Sequence, residues 1–213
     1  MKPHLRGLGP NGRLWMGNCP FKRLAVTDLT MPIPTSEAEL VELFRQLGAT
    51  KPEEWAHSQV SEGIPQLLRF LFLKSAWSKV AVEGETEWID REIAYARSHP
   101  GKPYAGLGVA LANCRTKGVS ADDLNEMARC LQAQMLFSIA YLLDGPPYEP
   151  GPLEDVSWGL FQLDEHESPI GNRIGGLHES VLSIDPIGRE MRPRSTVPAD
   201  SEHRAGHQHL DGQ

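Results

Sequence analysis

The sequence is poor in cysteine, with only Cys19, Cys114 and Cys130 among its 213 residues. An odd and sparse set of cysteines does not form the disulfide framework of a small secreted domain. It is typical of a protein from a reducing compartment, and we therefore predict a cytoplasmic location. Cys114 and Cys130 fall in separate predicted helices, and the sequence alone does not decide whether they are neighbours.

Long apolar runs are also missing. The longest, residues 135–143, spans nine residues and contains Ser138, whereas a transmembrane helix needs about 20 apolar residues. The apolar stretch at residues 14–16 is too short for the hydrophobic region of a signal peptide. The sequence therefore predicts neither a membrane span nor a secretory leader.

The short motifs that carry common chemistries are absent as well. The chain has no CxxC or HExxH motif for zinc, no GxxxxGK[ST] loop for nucleotide phosphates and no GxSxG nucleophile elbow. We therefore predict no metal site and no cofactor.

Acidic residues dominate most of the chain. The formal net charge is −7, but residues 1–30 carry five basic residues and one acid, which leaves −11 on residues 31–213. Sequence-independent binding to nucleic acid depends on basic side chains that neutralise phosphates, and anionic membrane surfaces attract the same side chains. The acidic body therefore argues against nucleic-acid and membrane partners.

What the sequence does contain is a series of helix signals. Ser36 followed by Glu39 forms a capping box, and apolar residues then recur at the spacing of an amphipathic helix. Ser120 followed by Asp122 and Asp123 marks the start of the longest helix. Such patterns predict six helices, over residues 36–47, 50–57, 63–82, 86–97, 103–115 and 121–143.

Two of these helices are apolar enough to form the centre of the fold. The third is apolar over more than half of its circumference, and we expect Leu67, Leu71 and Trp77 to be buried. The last turns of the sixth are apolar nearly all round, which predicts that its C-terminal half is its buried half. In the fifth, small residues such as Gly106 and Gly108 predict close packing against a neighbouring helix.

After the last helix the pattern changes from helical to extended. Residues 156–164 and 180–185 are predicted strands of a β-hairpin, with a turn-rich segment at 165–176 between them. Residues 189–191 are predicted as a short third strand. Because an isolated hairpin is marginally stable in water, we expect it to pack on the helical body.

The predicted fold is mainly α: a bundle of five or six helices with a small C-terminal β-hairpin and disordered ends. The chain then has four parts. They are a disordered basic leader (1–31) that could precede the true start, the helical bundle (32–146), a linker and hairpin (147–192), and a disordered histidine-containing tail (193–213).

The hairpin region holds the candidate functional residues. Across a hairpin, His178 would approach Asp164 or Glu165, and a histidine oriented by a carboxylate is a common general base. These three residues are the candidate catalytic group.

A second group of candidates serves binding rather than catalysis. Trp158, Arg173 and Arg189 lie in the same region, and tryptophan and arginine supply much of the binding energy at protein interfaces.

Two classes of function follow. The acidic helical body, the lack of catalytic motifs and the hairpin favour a non-catalytic interaction, regulatory or inhibitor-type protein that binds another protein. The alternative is a small hydrolase or transferase with an acid/base site near the hairpin. The sequence does not give the partner, the substrate or the oligomeric state.

Overall fold

The computed structural model describes residues 33–145 and 156–194. The predicted leader, most of the linker and most of the histidine-containing tail lie outside these residues.

The mainly α fold with a small C-terminal hairpin is confirmed. The described elements are α1 (Glu37–Gln46), α2 (Pro52–Glu62), α3 (Gln66–Trp77), α4 (Glu87–Ser98), α5 (Ala105–Thr116), α6 (Ala121–Leu143), β1 (Leu160–Leu163), β2 (Pro169–Ile174), α7 (Leu177–Ser180) and a 3-10 turn (Leu182–Ile184). No helix in the described ranges is both long enough and apolar enough to cross a membrane.

Helix starts follow the capping signals of the sequence. The Ser36 hydroxyl accepts the backbone N–H of Glu39 at the start of α1, and the Ser120 hydroxyl accepts that of Asp123 at the start of α6. Each cap satisfies a backbone donor that has no partner inside its helix.

The main core lies between α1, α2, α3, α6 and α7. Its centre includes an aromatic group in which Phe70 packs edge-on against Phe44 and Trp55, with ring centroids 5.6 and 5.5 Å away. Leu67 and Trp77 are buried, as predicted. The prediction for Leu71 is wrong, because Leu71 lies on the outer side of α3 and is 38% exposed.

Helices α4 and α5 form a hairpin with a small core of their own. Ile89, Ile93 and Leu111 pack there with Leu124 of α6. Gly108 allows the close approach: a Cβ added to it would lie 2.1 Å from the Glu92 carbonyl oxygen and 2.7 Å from the Ala96 Cβ. The close packing predicted from the small residues of this segment is therefore found at Gly108.

The strands of the hairpin are not all where the sequence placed them. β1 lies inside predicted strand 156–164, but it pairs antiparallel with β2, which lies in the segment predicted as turns. Predicted strand 180–185 is instead the end of α7 and the 3-10 turn, and residues 189–191 form a turn.

Burial explains the helical outcome at 177–184. The buried side chains there are Leu177, Ser180, Val181 and Ile184, and their spacing of three, one and three residues is helical rather than alternating. The Val181 carbonyl also accepts the indole N–H of Trp77 at 2.8 Å.

A buried ion pair ties the C-terminal segment to α6. The Arg129 guanidinium binds Asp185, and their side chains are 3% and 0% exposed. Arg129 also donates to the Ala81 carbonyl at 2.8 Å and lies over the Trp77 ring at 5.3 Å. Asp185 accepts backbone N–H groups of Ile187 and Met191.

The close α4–α5 contact predicts opposite effects for two glycines of one helix. Gly108→Ala should lower the free energy of unfolding by about 1–3 kcal/mol, because the new methyl overlaps the Glu92 backbone. A Cβ added to Gly106 would meet no atom within 4 Å, so Gly106→Ala should be neutral or stabilise by up to about 1 kcal/mol. Urea denaturation measures both, and equal losses would contradict the packing described.

The buried ion pair predicts a large effect of removing one charge. Asp185→Asn leaves the Arg129 charge buried without a counter-charge and should cost about 3–5 kcal/mol. Glu190→Gln is the control, because Glu190 pairs with Arg192 on the surface and such pairs contribute about 1 kcal/mol or less. Denaturant titration measures the free energy of unfolding of both variants. Equal losses would contradict a stabilising role of the buried ion pair.

Candidate functional site

His178 lies at the end of α6, next to a carboxylate. Its Nδ1 is 2.5 Å from Oδ2 of Asp144, the C-cap residue that directly follows α6. The same carboxylate accepts the backbone N–H groups of Leu177 and His178, each at 3.0 Å. Asp144 therefore joins the end of α6 to the start of α7.

The position of Asp144 at the end of α6 is electrostatically unfavourable for a carboxylate. A carboxylate at a helix C-terminus faces the negative end of the helix dipole. Burial by itself raises the pKa of the Asp144 carboxyl, but hydrogen bonds from His178 and the backbone of Leu177 outweigh it and lower that pKa below its ordinary value. The bonds to α7 thus keep the carboxylate ionised.

The His178 ring packs on the exposed aromatic residues of α6. Phe137 and Tyr141 meet it edge-on, with ring centroids 5.9 and 5.1 Å away. The imidazole is oriented by a carboxylate, as a general base would be, and its side chain is 28% exposed.

Two candidate partners of His178 are engaged elsewhere. Asp164 closes its own turn, where it accepts the backbone N–H groups of His166 and Ser168. Glu165 is exposed beside His166. Asp144, which sequence reasoning missed, lies 34 residues from His178 and carries no local signal of this contact.

Two cavities in the described ranges do not include this pair. One, of about 190 Å³, lies between α2, α3 and β2, where Gln59 and Asn172 line it. The other, of about 310 Å³, lies beside Trp55 and Ser183. His178 and Asp144 line neither cavity, and their side chains are 28% and 11% exposed at the end of α6.

The three candidate binding residues do not form one surface group. Trp158 is 47% exposed, and its indole N–H donates to the Leu142 carbonyl at 2.7 Å, which holds the ring at the end of α6. Arg173 is exposed and its side chain approaches Gly159 and Gly175. Arg189 is held by Glu126 at 2.8 Å and by Glu83 at 3.5 Å, so its charge is used inside the chain.

The largest departure from the sequence analysis is the surface of α6. The prediction that its C-terminal half is the buried half is wrong, because only one side faces the core, through Ala133, Leu136 and Ala140. Five apolar side chains on the other side are between 44% and 61% exposed. We call them the α6 stripe: Met127, Leu131, Met135, Ile139 and Leu142.

The α6 stripe is continuous and carries no charge along most of its length. Its members recur every three or four residues, so they lie on one side of the helix over a length of about 22 Å. No residue from Cys130 to Leu143 is charged. Trp158, fixed on the Leu142 carbonyl, extends the apolar surface at its C-terminal end.

A scan of protein-family models and searches of characterised proteins and of solved structures found no match. Among the described residues, no group of three or more His, Cys, Asp or Glu side chains is placed to bind a metal.

The lowered pKa of Asp144 predicts how its contribution depends on pH. A carboxyl whose pKa is lower in the folded state stabilises the fold above its unfolded pKa, about 4. That contribution is lost as the pH falls through the folded pKa. Wild type should therefore exceed Asp144→Asn in free energy of unfolding at about pH 5, and the difference should shrink towards about pH 2.

Chemical denaturation at each pH measures this difference. The exposed and uncharged Gln134 supplies the control variant, Gln134→Ala, because it removes no titratable group; its difference from wild type in free energy of unfolding should stay constant with pH. A difference between wild type and Asp144→Asn that stays constant over the acidic range would contradict the assigned role of the Asp144 carboxylate.

Proposed function

We propose that this protein is a non-catalytic interaction protein that binds another protein chain through the α6 stripe. The observation that carries the proposal is the exposure of five large apolar side chains along one side of the longest helix. The partner chemistry that fits this stripe is an apolar helix face of similar length that also lacks charge.

The size of the exposed surface supports this proposal. Single exposed apolar residues are ordinary, but contiguous apolar patches mark interaction sites. Water in contact with the stripe costs free energy that a partner would recover on binding. The exposed ring of Trp158 is the kind of anchor that dominates binding energy at interfaces.

The Asp144–His178 pair keeps an acid/base enzyme, a small hydrolase or transferase, as the second candidate. The carboxylate-oriented imidazole favours it. Two features support the non-catalytic interaction function instead. The Asp144 oxygens bind two backbone N–H groups as well as the ring, and the two cavities described above do not include His178. The pair is accounted for as the joint between α6 and α7.

Site-specific photo-cross-linking in the native cells tests the proposal. A benzophenone amino acid at position 135 should form a discrete adduct with a protein chain, whereas the same group at position 60 should not. Val60 is the matched control because it is also apolar, helical and about as exposed, at 46% compared with 61% for Met135. Adducts are identified by mass spectrometry.

Binding of the identified chain is then measured with purified proteins. Leu131→Glu should weaken it at least about tenfold, because a buried interface does not accommodate an unpaired charge. Val60→Glu should leave the affinity unchanged. The absence of any protein adduct from position 135, or equal effects of the two glutamates, would overturn the proposal.

A further inference from the structure

We infer that the occupant of the α6 stripe is the α6 stripe of a second copy of this chain, packed antiparallel about a two-fold axis at Met135. The inference rests on the proposed function and adds the identity of the partner. It follows from the spacing of the stripe, the placement of charge around it and the position of the α4–α5 hairpin.

The stripe is nearly symmetric along its own length. Relative to Met135, its other members lie at −8, −4, +4 and +7 residues. In an antiparallel pair centred on Met135, that residue meets its own copy and Leu131 meets Ile139. Met127 meets Leu142 with an offset of one residue, about 1.5 Å along the helix. Every large apolar side chain of the stripe then faces another one, as an isologous interface requires.

Charge does not oppose this pairing, although each chain carries a net charge of −7. The helix is uncharged from Cys130 to Leu143. The carboxylates that flank this uncharged segment in the sequence are bound within their own chain. Arg189 and Arg194 hold Glu126, and His178 holds Asp144.

The position of the α4–α5 hairpin favours antiparallel over parallel pairing. Leu124 precedes the stripe and points in the direction of Leu142, five helical turns later. Leu124 is only 2% exposed because Ile89 and Leu111 cover it. Parallel helices would bring two such hairpins, and two acidic first turns, to the same end. Antiparallel helices separate them and also oppose the helix dipoles favourably.

The area available agrees with a modest dimer interface. A standard interface covers about 800 Å² on each partner. Aromatic side chains bury roughly 150–250 Å² each. With the lower figure for the half-exposed Met, Leu and Ile side chains and the upper one for Trp158, the exposed area is on the order of 500 Å². The adjoining Gln134 and Ser138, both exposed, supply a polar rim.

The oligomeric state in solution tests whether the partner is a second copy of this chain. Analytical ultracentrifugation of the full chain at about 100 µM should give twice the 23.6 kDa of one chain. Leu131→Glu should weaken self-association at least about tenfold, with an unchanged circular dichroism spectrum, and Val60→Glu should leave it intact.

Disulfide cross-linking tests the geometry, in a chain whose three native cysteines are replaced by alanine. Met135→Cys should give a linked dimer on mild oxidation, and so should the double variant Met127→Cys with Leu142→Cys. Leu142→Cys alone should not, because in the antiparallel pair its two copies are about 21 Å apart along the helix.

The other outcomes of these experiments each overturn one part of the inference. A monomeric wild type, or a dimer that Leu131→Glu leaves intact, overturns the second copy as the occupant. Cross-linking by Leu142→Cys alone overturns the antiparallel arrangement. The proposed function fails separately, when position 135 forms no adduct with any protein in cells. An adduct with a different protein, together with a monomeric chain, keeps the proposed function and removes this inference.

Discussion

The buried ion pair between Arg129 and Asp185 is the constraint on which the rest of the structure depends. It joins α6 to a segment 56 residues further along the chain, and Arg129 also binds the loop after α3 through Ala81. Two charges removed from water are costly unless they meet each other and further hydrogen-bond partners. Here Asp185 accepts two backbone N–H groups as well, so one arrangement of the three segments satisfies all of them.

This constraint fixes the rotation of α6. With Arg129 turned inwards, Ala133, Leu136 and Ala140 follow on the same side and face the core. The α6 stripe must then point outwards, although its side chains are larger and more apolar than the alanines that are buried. The rotation that satisfies the buried charge therefore leaves the most apolar side of the helix exposed to solvent. Asp144 strengthens the same arrangement at the far end, where it holds α7.

Much of the fold could be predicted from local sequence. Capping at Ser36 and Ser120 and the apolar periodicities predicted the six helices, because those signals act within a few residues of each element. The second strand of the hairpin could not be placed from local sequence. Segment 180–185 contains β-branched residues and resembles a strand, but its burial against Trp77 imposes a helical spacing. Of the candidate site, His178 and Trp158 could be singled out by residue type, whereas Asp144 could not.

By itself, the sequence determined the class of fold, the approximate positions of the six main helices, and the acidic, motif-poor character of the chain. These properties depend on composition and on contacts within a few residues. Only the tertiary structure decided which side of α6 is buried, which carboxylate His178 binds, and that Arg189 is used internally. Those outcomes depend on contacts between residues 34 to 63 positions apart, and hydrophobic periodicity carries no information about which of two apolar helix sides a buried charge will turn inwards.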